Sequence, residues 1–172
     1  MKLLLTTSKG IWIVENKTIQ KVIGADDQIY FGITWNSEEV YIAKRTEGKN
    51  FLVILDKQLN IKREIVMPEV IDTHQMHYYN RTLYVANTRF NRIQLWNGQN
   101  WRDETWARCG RDVNHINSIW NSDEGHLYFV EHNRHIKPIR RSRVRVFTQD
   151  FKPVADYQVG KGAHNVMKQG RL

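Results

Sequence analysis

Short runs of alternating apolar and polar residues follow one another along the chain, each closed by a polar turn. Alternation with a period of two is the mark of a half-buried β-strand. Four stretches share one order of parts: GIWIVENKTIQKVI (10–23), FLVILDKQLNIKREIVM (51–67), RIQLWNGQNWRDETW (92–106) and RVRVFTQDFKPVADYQV (143–159). Each has an apolar β-rich run, a short polar turn and a more polar strand. Asn97-Gly98 in the third predicts a two-residue hairpin.

A further strand pair precedes three of these stretches: YFGITWNSEEVYIAKR (30–45), HQMHYYNRTLYVANTR (74–89) and HINSIWNSDEGHLYFVEHNR (115–134). A unit is therefore four short strands. Units start at Tyr30, His74, His115 and His164, at spacings of 44, 41 and 49 residues. Four strands repeated at such a period predict β-propeller blades. The ends match as well. Residues 164–172 read as one inner strand, and residues 1–24 read as the three strands that would follow it. The expected fold is thus an all-β propeller of four four-stranded blades in a single domain, 1–172. The blades are about 30–67, 74–107, 115–159, and 164–172 joined to 1–24. Pairing of the C-terminal strand with the N-terminal ones would close the ring and remove open sheet edges. A single-chain ring and a homodimer that exchanges end strands both satisfy the pattern.

Composition narrows the setting. With 41% hydrophobic residues in 172, the chain can build a core. No apolar run approaches the roughly 20 residues of a membrane span, and MKLLLTTSKG turns polar too soon for a signal peptide. One cysteine, Cys109, excludes an internal disulfide and a CxxC metal site, which suits a cytoplasmic protein. The net charge is +8, and RHIKPIRRSRVR (134–145) holds six cations and no acid. An anionic partner is expected. Nucleic acid is disfavoured, because that stretch lacks aromatic residues on which bases could stack.

In a propeller the first strand of each blade lines the axis. Its entry and the loop between the second and third strands share one face. Tyr30, His74, His115 and His164 should therefore converge at one mouth of the channel. The matching loops add Lys44-Arg45, Asn87-Thr88-Arg89, Glu131-His132-Asn133-Arg134-His135 and Thr6-Thr7-Ser8-Lys9. Asn117 and Asn165 add amides. The expected ligand-binding set is Tyr30, His74, Arg89, His115, Asn117, His132, Arg134, His164 and Asn165, and its ligand a small anion. His74, His115 and His164 are also candidate catalytic nucleophiles or bases, or ligands of a transition metal ion that leave a position open. The surrounding cations oppose a metal unless an anion or a carboxylate such as Glu131 joins it. The structural alternative is plain: a histidine at a strand start is more often a hydrogen-bonded framework residue. A third reading places protein or nucleic-acid contacts on the basic stretch 134–145. Asn36, Asn80 and Asn121 read as turn formers. Trp35, Trp96 and Trp120 read as core between blades, and His126 as a turn residue on the opposite face.

The repeats resemble the β-propeller superfamily over nearly the whole chain, without the GH and WD dipeptides of WD40 repeats. HINSI (115–119), with the acidic turn, Gly125 and Leu-Tyr strand after it, is similar to a segment of bacterial arylsulfotransferase propellers. That resemblance implies His115 facing an anionic group, with His74, His164 and Arg134 as companions. Gluconolactonase-like propellers hold a divalent ion at the axis through carboxylates and amides, where this chain has histidines.

Overall fold

The computed structural model describes residues 2–25, 27–69, 72–104, 114–132 and 141–166. It contains four antiparallel meander sheets. Two compact units divide the chain, Met1–Ile71 and Asp72–Leu172.

The N-terminal unit holds β1 (Lys2–Thr7), β2 (Gly10–Glu15) and β3 (Thr18–Ile23) in one three-stranded sheet. Its second sheet runs β4 (Ile29–Trp35), β5 (Val40–Thr46), β6 (Lys49–Leu55) and β7 (Ile61–Val66). Ile11, Tyr30, Ile42, Val53 and Leu55 form the core of this unit, with Leu4 and Ile23 packed against it. Each such side chain contributes about 1.5–3 kcal/mol on burial.

The C-terminal unit repeats the plan. One sheet is β8 (Thr73–Tyr79), β9 (Thr82–Asn87), β10 (Arg92–Trp96) and β11 (Trp101–Glu104). The other is β12 (Ile116–Asn121), β13 (Leu127–Glu131), β14 (Arg143–Phe147) and β15 (Pro153–Gln158). Leu95, Ile119, Phe129 and Phe147 belong to the core of this unit. The first strands β8 and β12 pack on one another. Gln75 on β8 accepts a hydrogen bond from the Ile119 amide of β12 at 3.0 Å.

Turn chemistry explains the short hairpins. Asn16-Lys17, Glu47-Gly48 and Asn80-Arg81 all have positive φ at both positions, the type I′ geometry that matches strand twist. Asn97-Gly98 behaves otherwise. Trp96 pairs with Trp101, so the loop has four residues, and the Asn97 carboxamide oxygen accepts from the amides of Gln99 and Asn100. The side chain of Asn97 competes for the turn and lengthens it.

Sequence patterning misplaces Trp35. It ends β4 and is 68% exposed, while Trp96 is buried and Trp120 half-buried beside His77. Asn36 does close its turn, accepting from Glu38 and Glu39 amides at 2.7 Å. Asn121 does not: it is buried at the end of β12, and Ser122 takes the turn bond from His126 instead. One sheet has three strands where four are expected. Residues 163–166 have no strand assignment, and the rest of the predicted closing strand, 167–172, lies outside the described residues.

Candidate functional site

Every four-stranded sheet has an irregularity at the entry of its first strand. The register shifts between Tyr30 and Ile33, between Thr73 and Met76, and between Ile116 and Ser118. A bulge carries extra residue on one strand and re-aims its side chains. His74 and Gln75 occupy the second bulge, and Asn117 the third.

These bulges and the neighbouring loops assemble a row of four imidazoles in the C-terminal unit. His74 lies 5.1 Å from His115, His115 lies 5.4 Å from His132, and His132 lies 4.5 Å from His164, ring centroid to ring centroid. His74 and His164 are exposed, His115 is half-buried and His132 is buried. Asn117 is buried beneath the row, its carboxamide nitrogen 3.1 Å from His164 Nδ1. The Asn117 oxygen has no hydrogen-bond partner among the described residues.

The row is held from several sides. His115 adopts a left-handed backbone, φ 50°, and its amide and that of Asn114 both donate to the Asn91 carboxamide oxygen. Thr88 on the 3-10 turn Thr88–Phe90 donates to the Ile116 carbonyl. His132 donates its amide to the His115 carbonyl at 3.1 Å. Residues 161–166 then cross the row. Ala163 donates to Ser142 Oγ at 3.0 Å and Val166 to Ser118 Oγ at 3.1 Å. Gly162, at φ 76°, passes His132 so closely that a side chain there would touch its ring nitrogen Nε2.

The charged surroundings differ from the expectation. Glu131, only 2% exposed, pairs with Arg145 at 3.2 Å, and Arg143 pairs with Asp156. Two of the six cations in 134–145 are therefore committed to ion pairs. Arg134, like the rest of 133–140, lies outside the described residues. Arg89 is exposed on the turn that clamps Ile116, and Asn165 is exposed beside His164. Lys44 is not a rim cation: its side chain is 8% exposed and both Glu64 oxygens lie at 2.7 Å. Tyr30 is not a rim residue either. It is buried in the core of the N-terminal unit, its hydroxyl donating to Gln28, and burial raises its pKa. Its phenol ring fits an apolar core better than a strand mouth.

Among the described residues no three His, Cys, Asp or Glu side chains group closely enough to hold a metal ion. Of the three histidines proposed as metal ligands, His74 and His115 are in contact, and His164 is linked to His115 through His132. His77, missed as a feature by sequence reasoning, has its pKa lowered to about 4 by burial. It packs on Trp120, 5.0 Å between rings, in the HxxH pair that begins with His74.

Meander sheets of four strands whose first strands pack together define a β-propeller. Solved structures of that fold resemble the chain. It is similar to a chain of a nidogen/laminin complex, with TM-score 0.68, 14% identity, and coverage of 93% of this chain and 63% of that one. It is similar to a catalytically inactive histidine-to-alanine variant of virginiamycin B lyase from Staphylococcus aureus with quinupristin, at TM-score 0.65, 14% identity, 94% and 57%. It also resembles a luciferin-regenerating enzyme, at TM-score 0.73, 10% identity, 98% and 62%. The chain spans less than two thirds of the length of each. At these identities the likeness establishes the fold alone. No protein-family model matches the chain, and no curated protein matches it in sequence. Among the described residues no helix is long and apolar enough to cross a membrane.

Proposed function

We propose that the row His74–His115–His132–His164, with Asn117, binds a small anionic ligand. The observation that carries this is the continuous contact of four imidazoles across two blades and a crossing segment. Imidazoles donate hydrogen bonds to an anion, and more strongly once protonated. The Asn117 carboxamide suits the role. With its nitrogen on His164, its oxygen asks for a donor, such as the hydroxyl of hydrogen phosphate or of a hydroxy acid. Arg89 and Arg134 are the cations proposed to join the ligand, in a cytoplasmic setting.

The test is a calorimetric titration with sulfate and with phosphate. His115→Ala should weaken binding by about tenfold, close to 1.4 kcal/mol. His126→Ala should leave it unchanged, because His126 lies in the turn at the far end of β12 and leans on Glu124. Equal effects of the two substitutions would return the histidines to a framework role.

A second reading is catalysis by one of these histidines as nucleophile or base. Its support is that a virginiamycin B lyase of similar fold is catalytically inactive as a histidine-to-alanine variant. The scaffold reading of 134–145 is weakened by the ion pairs of Arg143 and Arg145.

The propeller is proposed to be completed by a strand from 164–171, of the same chain or of a second copy. The support lies in the N-terminal unit. The sheet of β1, β2 and β3 has one strand fewer than each of the others. Among the described residues β1 pairs with β2 alone. Leu3 and Leu5 on it are 42% and 45% exposed, while β9 is nearly all buried.

A further inference from the structure

The end of the C-terminal unit away from the histidine row carries a cavity of about 460 Å3. It lies where three hairpin turns meet. Asn80 comes from the turn between β8 and β9, Asn97 and Asn100 from the turn between β10 and β11, and Gln149 from the turn between β14 and β15. Tyr84 and Leu95, each 5% exposed, belong to its lining and to the core beneath. The histidine row sits at the opposite ends of the same strands, so the two sites are separate.

The lining chemistry excludes most ligand classes. No carboxylate lines the cavity, so a metal ion or an amine finds no counter-charge. The one cation is Arg102, and Glu104 lies 3.4 Å from it, which offsets its attraction for a phosphate. Apolar surface, from Leu95, the Tyr84 ring and the carbons of the polar side chains, is interleaved with amide and hydroxyl groups, which suits an amphipathic ligand better than a purely hydrophobic one. What remains is a set of four carboxamides, a phenol hydroxyl and the Thr82 hydroxyl.

We infer that this cavity is a binding site for a neutral carbohydrate, one or two sugar rings in size. The carboxamides of Asn80 and Asn100 each present a donor and an acceptor side by side, the arrangement that vicinal hydroxyls satisfy in pairs. Asn97 is already oriented. Its oxygen is held by the amides of Gln99 and Asn100, which leaves its NH2 on the other branch as a donor. Gln149 is fixed at both ends, accepting from the Tyr84 hydroxyl at 3.0 Å and donating to the Gly125 carbonyl at 2.7 Å. Such fixing lowers the entropy lost on binding. Leu95 and the Tyr84 ring supply the apolar floor that the C–H face of a pyranose needs. The volume falls in the lower part of the range of small-molecule sites, about 300–1,000 Å3.

Ligand-observed saturation-transfer NMR on the full chain tests this with D-glucose, D-galactose, N-acetyl-D-glucosamine and maltose. At least one should bind, with Kd of about 1 mM. Asn100→Trp, at an exposed turn position, should fill the mouth and abolish the signal. Asn80→Gly keeps the positive-φ turn while removing one carboxamide, and should weaken binding by about fivefold. His115→Ala should bind sugar like the native chain, which separates this site from the anion site. Transfer to none of the four sugars overturns the inference, as does native affinity in Asn80→Gly or in a folded Asn100→Trp.

Discussion

Asn117 and His164 stand 47 residues apart in the chain and 3.1 Å apart in space, amide nitrogen to Nδ1. Asn117 sits in a bulge at the entry of β12, and His164 lies on the segment that crosses the row. With the amide donating, His164 accepts at Nδ1 and carries its proton at Nε2. In that tautomer one bond ties the exposed ring to a buried amide.

Asn117→Leu should therefore release His164 without disturbing the core. Phosphate binding should weaken by about fivefold, the loss of one hydrogen bond near 1 kcal/mol. Calorimetry of the variant checks it. An unchanged affinity would mean that neither Asn117 nor the His164 ring it holds meets the ligand.

His115 holds a left-handed backbone that an L-residue adopts only under strain. His115→Gly should be more stable than His115→Ala by about 1 kcal/mol, since glycine takes positive φ freely. Both should lose anion binding alike. Urea midpoints measure the first and calorimetry the second. Equal midpoints for the two variants would show that the backbone at 115 relaxes.

His77 supplies a pH window. Folded, its pKa is held down to about 4 by burial; unfolded, it titrates near 6.5. Between those values the unfolded chain binds a proton that the folded one does not. Stability therefore falls as pH drops from about 6.5 to about 4, by about 2 kcal/mol for this part-exposed ring. His77→Phe, packed on Trp120, should flatten that slope. Urea unfolding of both proteins across the window decides it, and parallel slopes would rule out His77 as the source.

The proposed closing strand predicts a loss on truncation. Removing residues 164–172 should leave β1 with an open edge and exposed Leu3 and Leu5, and so lower the melting temperature or cause aggregation. Light scattering of the intact chain then names the donor. A particle of 20.5 kDa means the strand comes from the same chain, and twice that mass means a second copy supplies it. A truncated chain that melts like the intact one would leave β1 with no such partner.

The repeat was legible in the sequence because its causes are local. Alternation within each strand, and turn residues such as Asn80 and Asn36, act over a few positions, so the four strands of three sheets and three strands of the other could be read without knowing what they pack against. The entry histidines could be aligned for the same reason. What the tertiary structure alone decided depends on partners distant in the chain. Tyr30 went into a core with Ile11 and Val53, and Lys44 went to Glu64 across two strands. His132 became the link between His115 and His164. Bulges set where Asn117 and His74 stand, and a bulge is a mismatch between two strands that neither strand records by itself. The carbohydrate cavity arises the same way, from turns whose residues each satisfy local geometry and become a site only when three hairpins meet.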